Sequence, residues 1–369
     1  MTMTTLPHSL RGAKPGTPVG TAILWARKNL FSSWFNGLLT LFCFWLLWEL
    51  IPPLLNWVIF QANWVGTSRM DCTKQGACWV FIHARFGQFM YGLYPTDQRW
   101  RINTTLIVGL LSLVPMFLSA MPRRGRYIAC WAVAFPIFTW IMLYGGFLGL
   151  SRVETRQWGG LTLTLIIAAV GIAGALPLGI LLALARRSSL PIVRILSVIF
   201  IEFWRGVPLI TVLFMSSVML PLFLTEGTNI DKLIRALVGV VLFQSAYVAE
   251  VVRGGLQALP KGQTEAAESL ALGYWKTQGL VILPQALKMV IPGLVNTIIA
   301  LFKDTSLVII IGLFDLFSSV QQATVDPEWL GMSTEGYVFA AAVYWIFCFS
   351  MSRYSQYLEK RFHTGHSAH

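Results

Sequence analysis

The sequence predicts an all-α polytopic membrane protein with about eight transmembrane helices. Of its 369 residues, 56% are apolar and only 12% are charged, and the mean hydropathy is +0.64. A typical soluble domain contains about 25% charged residues, so the composition excludes an ordinary soluble globular protein. Intrinsic disorder needs low hydrophobicity and high net charge, and it is excluded as well.

Apolar runs that reach or approach the length of a membrane span occur eight times. A hydrocarbon core of about 30 Å requires roughly 20 helical residues. The runs cover residues 38–60, 102–121, 128–150, 161–185, 195–224, 233–252, 289–314 and 336–351. An even number of spans places both chain termini on the same side of the membrane.

The distribution of lysine and arginine predicts which side that is. The net charge is +12, from 28 basic and 16 acidic residues. If both termini are cytoplasmic, the inner loops hold most of the basic residues, whereas acidic residues nearly balance those of the outer loops. Cytoplasmic loops are enriched in Lys and Arg, so we predict cytoplasmic termini. No basic stripe or stacking platform indicates nucleic acid, and the bilayer is the expected surrounding.

The composition changes near Arg156. The first three spans are rich in Trp and Phe and carry the longest outer loop, whereas the last five are richer in Leu, Ile, Val and Gly. We therefore predict an accessory module over residues 1–157, a working module over residues 158–362 and a tail over residues 363–369.

The sequence contains no recognised catalytic, metal-binding or nucleotide-binding motif. It has no G-x-x-x-x-G-K-[ST] loop, H-E-x-x-H, G-x-S-x-G or Cys-His cluster, so we expect no catalytic residue, metal or cofactor in this chain. Cys72 and Cys78 share the first outer loop, where an oxidising compartment would permit a disulfide.

The connection between the sixth and seventh spans, residues 253–288, is too long for a simple turn, at about 36 residues. A few residues would suffice. The pattern predicts two short helices: one capped by Thr264 and closed by Gly273, and one over residues 274–283 that Pro284 ends. A lever for a soluble partner and an interfacial helix on lipid headgroups both fit this pattern.

Four motifs in order resemble the permease subunits of ATP-binding-cassette (ABC) importers. Glu265-Ala266-Ala267, followed by Leu283-Pro284, resembles the EAA loop of that family. Residues 202–209 (EFWRGVPL), 246–255 (AYVAEVVRGG) and 301–307 (LFKDTSL) are similar to signatures of polar amino-acid permeases. The chain departs from the usual loop in that Ala271 replaces a Gly, with Gly273 two places later, and Val281 replaces an Ile.

This resemblance implies a type I ABC importer permease core of five helices plus three N-terminal accessory helices, in a bacterial inner membrane. In that family the EAA loop is a coupling helix seated in a groove of the ATPase. The implied coupling residues are Glu265, Ala266, Ala267, Ala271, Gly273, Leu283 and Pro284.

The implied partners are an ATP-binding subunit dimer, a second permease subunit and a periplasmic amino-acid-binding protein. ATP and Mg would bind the ATPase, and the chain itself would move L-amino acids without being an enzyme.

Polar residues inside the predicted spans are candidates for the substrate pathway, because a charge at mid-bilayer costs at least about 2.5 kcal/mol. Glu202 and Arg205 are spaced for an ion pair on one helix face, and Pro208 predicts a kink after them. These side chains could face the carboxylate and ammonium of a zwitterion, or could fix helix packing. The candidates are Glu202, Arg205, Lys303, Asp304, Thr305 and Ser306.

Two other functions are compatible with a polytopic membrane protein. One is a stand-alone ion-coupled carrier or channel for small polar solutes, and the other is a membrane-embedded enzyme. Neither has a use for an EAA-type loop, so the sequence favours the importer permease.

Overall fold

The computed structural model describes residues 18–73, 75–117, 124–147, 149–223, 225 and 230–362, and these are mainly helical. The predicted tail over residues 363–369 and parts of the predicted spans 102–121, 128–150 and 195–224 lie outside the described residues. The chain divides into two compact units, Met1–Val80 and Phe81–His369.

Within residues 18–73 and 75–80, the first unit contains two α-helices and a disulfide-linked loop. Helix α1 covers Pro18–Asn29, and α2 covers Trp34–Leu55 and continues as a π-helical turn, Asn56–Phe60. No residue of α2 is buried, which suits a helix surrounded by lipid. Cys72 and Cys78 form a disulfide with their Cα atoms 5.6 Å apart, within the normal range for this bond.

The second unit holds most of the helices, and α3 (Trp79–Tyr91) runs into it from the first unit. The others are α4 (Arg99–Phe117), α5 (Arg124–Tyr144), α6 (Gly160–Arg186), α7 (Pro191–Gly206), α8 (Leu209–Phe214), α9 (Lys232–Ala258), α10 (Gly262–Ser269), α11 (Tyr274–Lys276), α12 (Leu283–Met289), α13 (Ile291–Asp304), α14 (Leu316–Thr324) and α15 (Ser333–Phe362). A two-residue strand, Phe314–Asp315, precedes α14.

Within the described residues, six helical segments are long and apolar enough to cross a membrane, and a seventh is formed if the bent pair α7 and α8 counts as one span. This agrees roughly with the eight predicted spans. The bend measures 101°, and it lies at Val207 and Pro208, which confirms the kink predicted there. The described part of the predicted span 102–121 is α4, which begins with two arginines and does not reach this threshold.

The centre of the second unit is a close, parallel pair of helices, α6 and α9. Gly171 lies against Val240 and Gly179 against Val248, so both contacts have the same sequence offset and the helices run in the same direction. A Cβ atom at Gly179 would lie 2.5 Å from Val248 Cγ1 and 2.8 Å from the Ser245 carbonyl oxygen. Only glycine permits this approach.

Residues before position 158 contribute to the same hydrophobic core as α6 and α9. Tyr94, Ile102, Leu143 and Val153 are buried in one cluster with residues of the later helices. The boundary near residue 157 stays a prediction based on composition.

We predict that Gly179→Ala destabilises the protein by about 1–3 kcal/mol, because the new methyl group overpacks the contact with α9. The matched control is Gly254→Ala in α9, where a Cβ would meet nothing within 4 Å and where the better helix propensity of Ala stabilises by up to about 1 kcal/mol. Thermal unfolding in detergent should shift in opposite directions for the two variants. Equal shifts would contradict the close approach.

Candidate functional site

The predicted coupling loop is a helical hairpin whose first arm is α10. The helix begins at Gly262 with Lys261 as its N-cap residue, and no side chain caps it. The prediction that Thr264 is the N-cap is therefore wrong. Helix α10 starts three residues sooner than this prediction, directly after Pro260, and Thr264 lies inside its first turn.

The first arm ends at Ala271 and not at Gly273, as the sequence had suggested. Ala271 has a φ of +55°, and among the described residues it is the one non-glycine residue with a positive φ. The Leu272 N–H donates to the Ala267 carbonyl at 3.2 Å, which is the hydrogen bond of a Schellman C-cap. Gly273 is extended and precedes the second arm. The family that the sequence resembles has glycine at this position. The backbone here is left-handed, which is a conformation that glycine adopts readily.

The second arm begins at Tyr274 as predicted but does not end at Pro284. A π-helical stretch, Thr277–Ile282, leads directly into α12, and Pro284 lies in the first turn of that helix. Proline lacks an N–H group and its ring crowds the preceding turn. The wider π-helical turn before Pro284 accommodates the ring, so the helix continues without a break.

The two arms contact each other, and the second arm packs on the end of α9. The Gln285 side-chain amide donates to Gln263 Oε1 at 3.2 Å. Ala286 is fully buried, and a Cβ at Gly255 would lie 2.7 Å from the Ala286 carbonyl oxygen. The hairpin is therefore part of the bundle and is not a free linker.

The hairpin exposes a mixed apolar and acidic surface. Leu270 is 76% exposed and Trp275 is 70% exposed, and Glu265 is exposed as well. Apolar side chains of this size in contact with solvent mark an interaction surface. The EAA residues thus lie on a protruding face, with Ala267 alone buried beneath it.

Five charged side chains form a cluster where α6, α7 and α9 meet. Arg186 contacts Glu202 at 3.1 Å and Glu250 at 3.2 Å, and Arg205 contacts the same two carboxylates at 3.7 and 3.8 Å. Arg253 also pairs with Glu250. The predicted pair of Glu202 and Arg205 is present, but it is one part of a larger set that joins three helices.

This charged cluster lies beside the start of the α10–α12 hairpin. Arg253 is near the end of α9, and three residues separate that helix from α10. Arg187 donates to the Leu256 carbonyl oxygen at 2.9 Å, which fixes the end of α6 to the end of α9. The ion pairs of the charged cluster are partly exposed, so each contributes about 1 kcal/mol or less to stability. Their main effect is to fix the positions of α6, α7 and α9.

The predicted polar break at the end of α13 contains both exposed and buried residues. Lys303 is exposed and Asp304 is partly buried, whereas Thr305 is buried. Thr305 Oγ1 lies 3.5 Å from the Tyr344 hydroxyl, and Ser306 donates to the Lys303 carbonyl oxygen at 2.9 Å. Among the described residues, no ion pair connects this break to the charged cluster.

Sequence reasoning missed a fully buried carboxylate near the polar break. Asp315 caps α14 by accepting from the Phe317 and Ser318 N–H groups, and it also accepts from the Tyr344 hydroxyl at 2.9 Å. Thr164 accepts the Leu316 N–H at 3.0 Å. The Asp-x-x-Ser spacing predicts a helix start, but no sequence signal connects Asp315 to Tyr344.

The geometry is that of a membrane-transport subunit with a protruding hairpin, and comparison with known families agrees. Residues 175–364 match the family described as binding-protein-dependent transport system inner membrane component. The chain belongs to this family, and it is a multi-pass membrane protein.

Its relatives include proteins that match it over all or nearly all of its length. It is 80% identical over 369 residues, the whole of both chains, to the inner membrane amino-acid ABC transporter permease protein YhdY of Escherichia coli K12. It is 40% identical, over 95% of this chain and 96% of the relative, to the glutamate/glutamine/aspartate/asparagine transport system permease protein BztC of Rhodobacter capsulatus. A solved amino acid ABC transporter with histidines is 31% identical, with a TM-score of 0.48, over 55% of this chain and 92% of that one.

We predict that Ala271→Gly stabilises the hairpin. Glycine removes a left-handed penalty of about 1–2 kcal/mol and loses about 0.5–1 kcal/mol through backbone entropy. Tryptic cleavage at Lys276 in the folded protein should slow by about two- to fivefold, because it requires local opening. The control is Ala266→Gly inside α10, which should speed cleavage. Faster cleavage of Ala271→Gly would contradict the assigned backbone conformation.

Proposed function

We propose that this chain is the permease subunit of an ATP-driven, binding-protein-dependent importer of L-amino acids. The observation that carries the proposal is the exposed hairpin of α10–α12, built onto the end of α9, in a chain of this transport family. A stand-alone carrier or an enzyme would have no need of such a surface. The chain itself catalyses no reaction.

The substrates we propose are polar L-amino acids. The full-length relative named above for amino acids gives the general class. The relative named for glutamate, glutamine, aspartate and asparagine matches nearly the whole chain, including the N-terminal spans. Acidic and amide amino acids are therefore the first substrates to test.

The hairpin would couple transport to ATP hydrolysis in a separate ATPase dimer, which would bind ATP and Mg. Glu265, Leu270 and Trp275 would contact the ATPase, since they are exposed on one hairpin. A displacement of α10 would reach α12 through Gln263 and Gln285, and would then reach α9 at Gly255. The arginines at the ends of α6 and α9 would lie on the same cytoplasmic side, in line with cytoplasmic termini.

The substrate would pass along the polar residues at the end of α13. Glu202 and Arg205 already satisfy each other and their neighbours in the charged cluster, so we assign them to helix packing. Lys303 and Asp304, beside Thr305 and Ser306, carry opposite charges without an ion pair among the described residues, and they would face the zwitterion. A second permease subunit would complete the pathway, and a periplasmic amino-acid-binding protein would deliver the substrate.

We predict that Glu265→Lys lowers both ATPase association and ATP-driven uptake by at least about tenfold, since charge reversal at an interface costs several kcal/mol. Co-purification with co-expressed candidate ATPase subunits measures association, and radiolabelled amino-acid uptake measures transport. Glu359→Lys is the matched control, an exposed carboxylate near the end of α15. Intact assembly and uptake in Glu265→Lys would refute the coupling role.

We predict that Lys303→Ala and Asp304→Ala each lower amino-acid uptake by about tenfold or more while the ATPase complex still assembles. Loss of one charged partner of the substrate removes a charge-assisted hydrogen bond, worth about 1.5–3 kcal/mol. The competition profile of unlabelled amino acids should change as well. Unaltered rate and preference in both variants would assign these residues to packing instead.

A further inference from the structure

Helix α3, which precedes the residues matched to the family, packs on the end of the bundle opposite to the coupling hairpin. Phe81 and Phe89 are fully buried. The Phe81 ring lies 5.5 Å from Trp329 and the Phe89 ring 5.4 Å from Phe339, measured between centroids. Helix α3 thereby covers the loop after α14 and the beginning of α15.

Polar side chains of α3 join the same elements. Arg85 Nη2 lies 2.5 Å from Asp326 Oδ2 and 3.3 Å from Glu328 Oε2. One turn further on, the Gln88 amide donates to Gln322 Oε1, in α14, at 3.1 Å. Arg85 and Gln88 thus hold α14 and the loop that follows it.

The end of α3 is fixed to the beginning of α6 through the backbone. Thr162 donates to the Met90 carbonyl oxygen at 2.8 Å, and a Cβ at Gly160 would lie 2.4 Å from the Phe89 carbonyl oxygen. Gly92 also forms a β-bridge with Trp158. These contacts hold α3 in place independently of α14.

Helix α14 connects this region to the candidate substrate residues. Its capping residue, Asp315, accepts from Tyr344, whose hydroxyl contacts Thr305. Thr305 directly follows Asp304 in the chain. A displacement of α14 would therefore reach the polar break through two hydrogen bonds.

We propose that α3 is a strap that positions α14 and, through Asp315 and Tyr344, the polar break, and that Arg85 is its main positioning residue. The proposal rests on the proposed function of the chain as an amino-acid permease. Arg85 does not touch the substrate. Helices α3 and α14 stay together throughout transport, so the N-terminal part of the chain acts on the transport rate and is more than a membrane anchor.

The first test measures uptake of radiolabelled L-glutamate and L-glutamine by cells that express the complete importer, with rates normalised to the membrane abundance of the chain. Arg85→Ala and Asp326→Ala should each lower the maximal rate by about three- to tenfold, the size of long-range coupling effects. The concentration of substrate at half-maximal rate should not change. Exchange of the two charges, Arg85→Asp with Asp326→Arg, should restore at least half of the lost rate.

The matched control is Arg156→Ala, because the pair of Arg156 with Glu154 is largely exposed and involves neither α3 nor α14. It should leave the maximal rate unchanged. Wild-type rates in both Arg85→Ala and Asp326→Ala would overturn the strap, as would a loss that charge exchange does not repair.

The second test asks whether the strap moves. Gln88→Cys and Gln322→Cys are introduced together in a Cys43→Ser, Cys130→Ser, Cys348→Ser background, and the new pair is oxidised. The same background without the new cysteines is treated in parallel, because it keeps the Cys72–Cys78 disulfide. We expect uptake by the oxidised protein to stay within about twofold of uptake by the reduced protein. A disulfide between α3 and α14 has no effect on uptake if the two helices never separate. Loss of uptake that a reductant reverses would show that α3 must leave α14, and would overturn the proposal. Absence of amino-acid uptake by the wild type would instead refute the proposed function.

Discussion

The close parallel packing of α6 against α9 is the constraint on which the rest of the second unit depends. Glycines in α6 bring the helix axes so near that a single methyl group at Gly179 would collide with Val248 and with the backbone at Ser245. At this distance α6 and α9 cannot slide along each other without steric clashes, because protein interiors are close-packed. The pair therefore acts as a fixed frame, with the α10–α12 hairpin at one end and α3 and α14 at the other.

The general architecture could be predicted from the sequence because bilayer thickness dictates it. Apolar length located the spans, the i, i+3 spacing located the pair of Glu202 and Arg205, and Pro208 located the 101° bend. Each of these signals depends on residues close together in the chain. The same holds for the EAA loop, whose boundaries were nonetheless misplaced by a few residues.

The misplaced boundaries have a local physical cause. Thr264 and Gly273 are the statistically favoured cap residues, but tertiary contacts decide where a short helix begins and ends. Pro260 and the packing of α12 on α9 shift the hairpin, so that Ala271 adopts the left-handed conformation. The contacts of Arg186 with Glu250, of Asp315 with Tyr344 and of α3 with α14 join residues far apart in the chain, and no single-sequence pattern encodes them.

The two ends of the frame differ in how easily their polar contacts can change. At the hairpin end, the side chains of the charged cluster are 22–53% exposed, so water can replace any one ion pair at little cost. At the other end, Asp315 and Thr305 are buried, and separating Asp315 from its partners would leave a buried carboxylate unsatisfied, which costs several kcal/mol. The exposed ion pairs beside the hairpin are therefore the polar contacts that can rearrange at the lowest cost. The contacts of Asp315 and Thr305 at the buried end cost more to break.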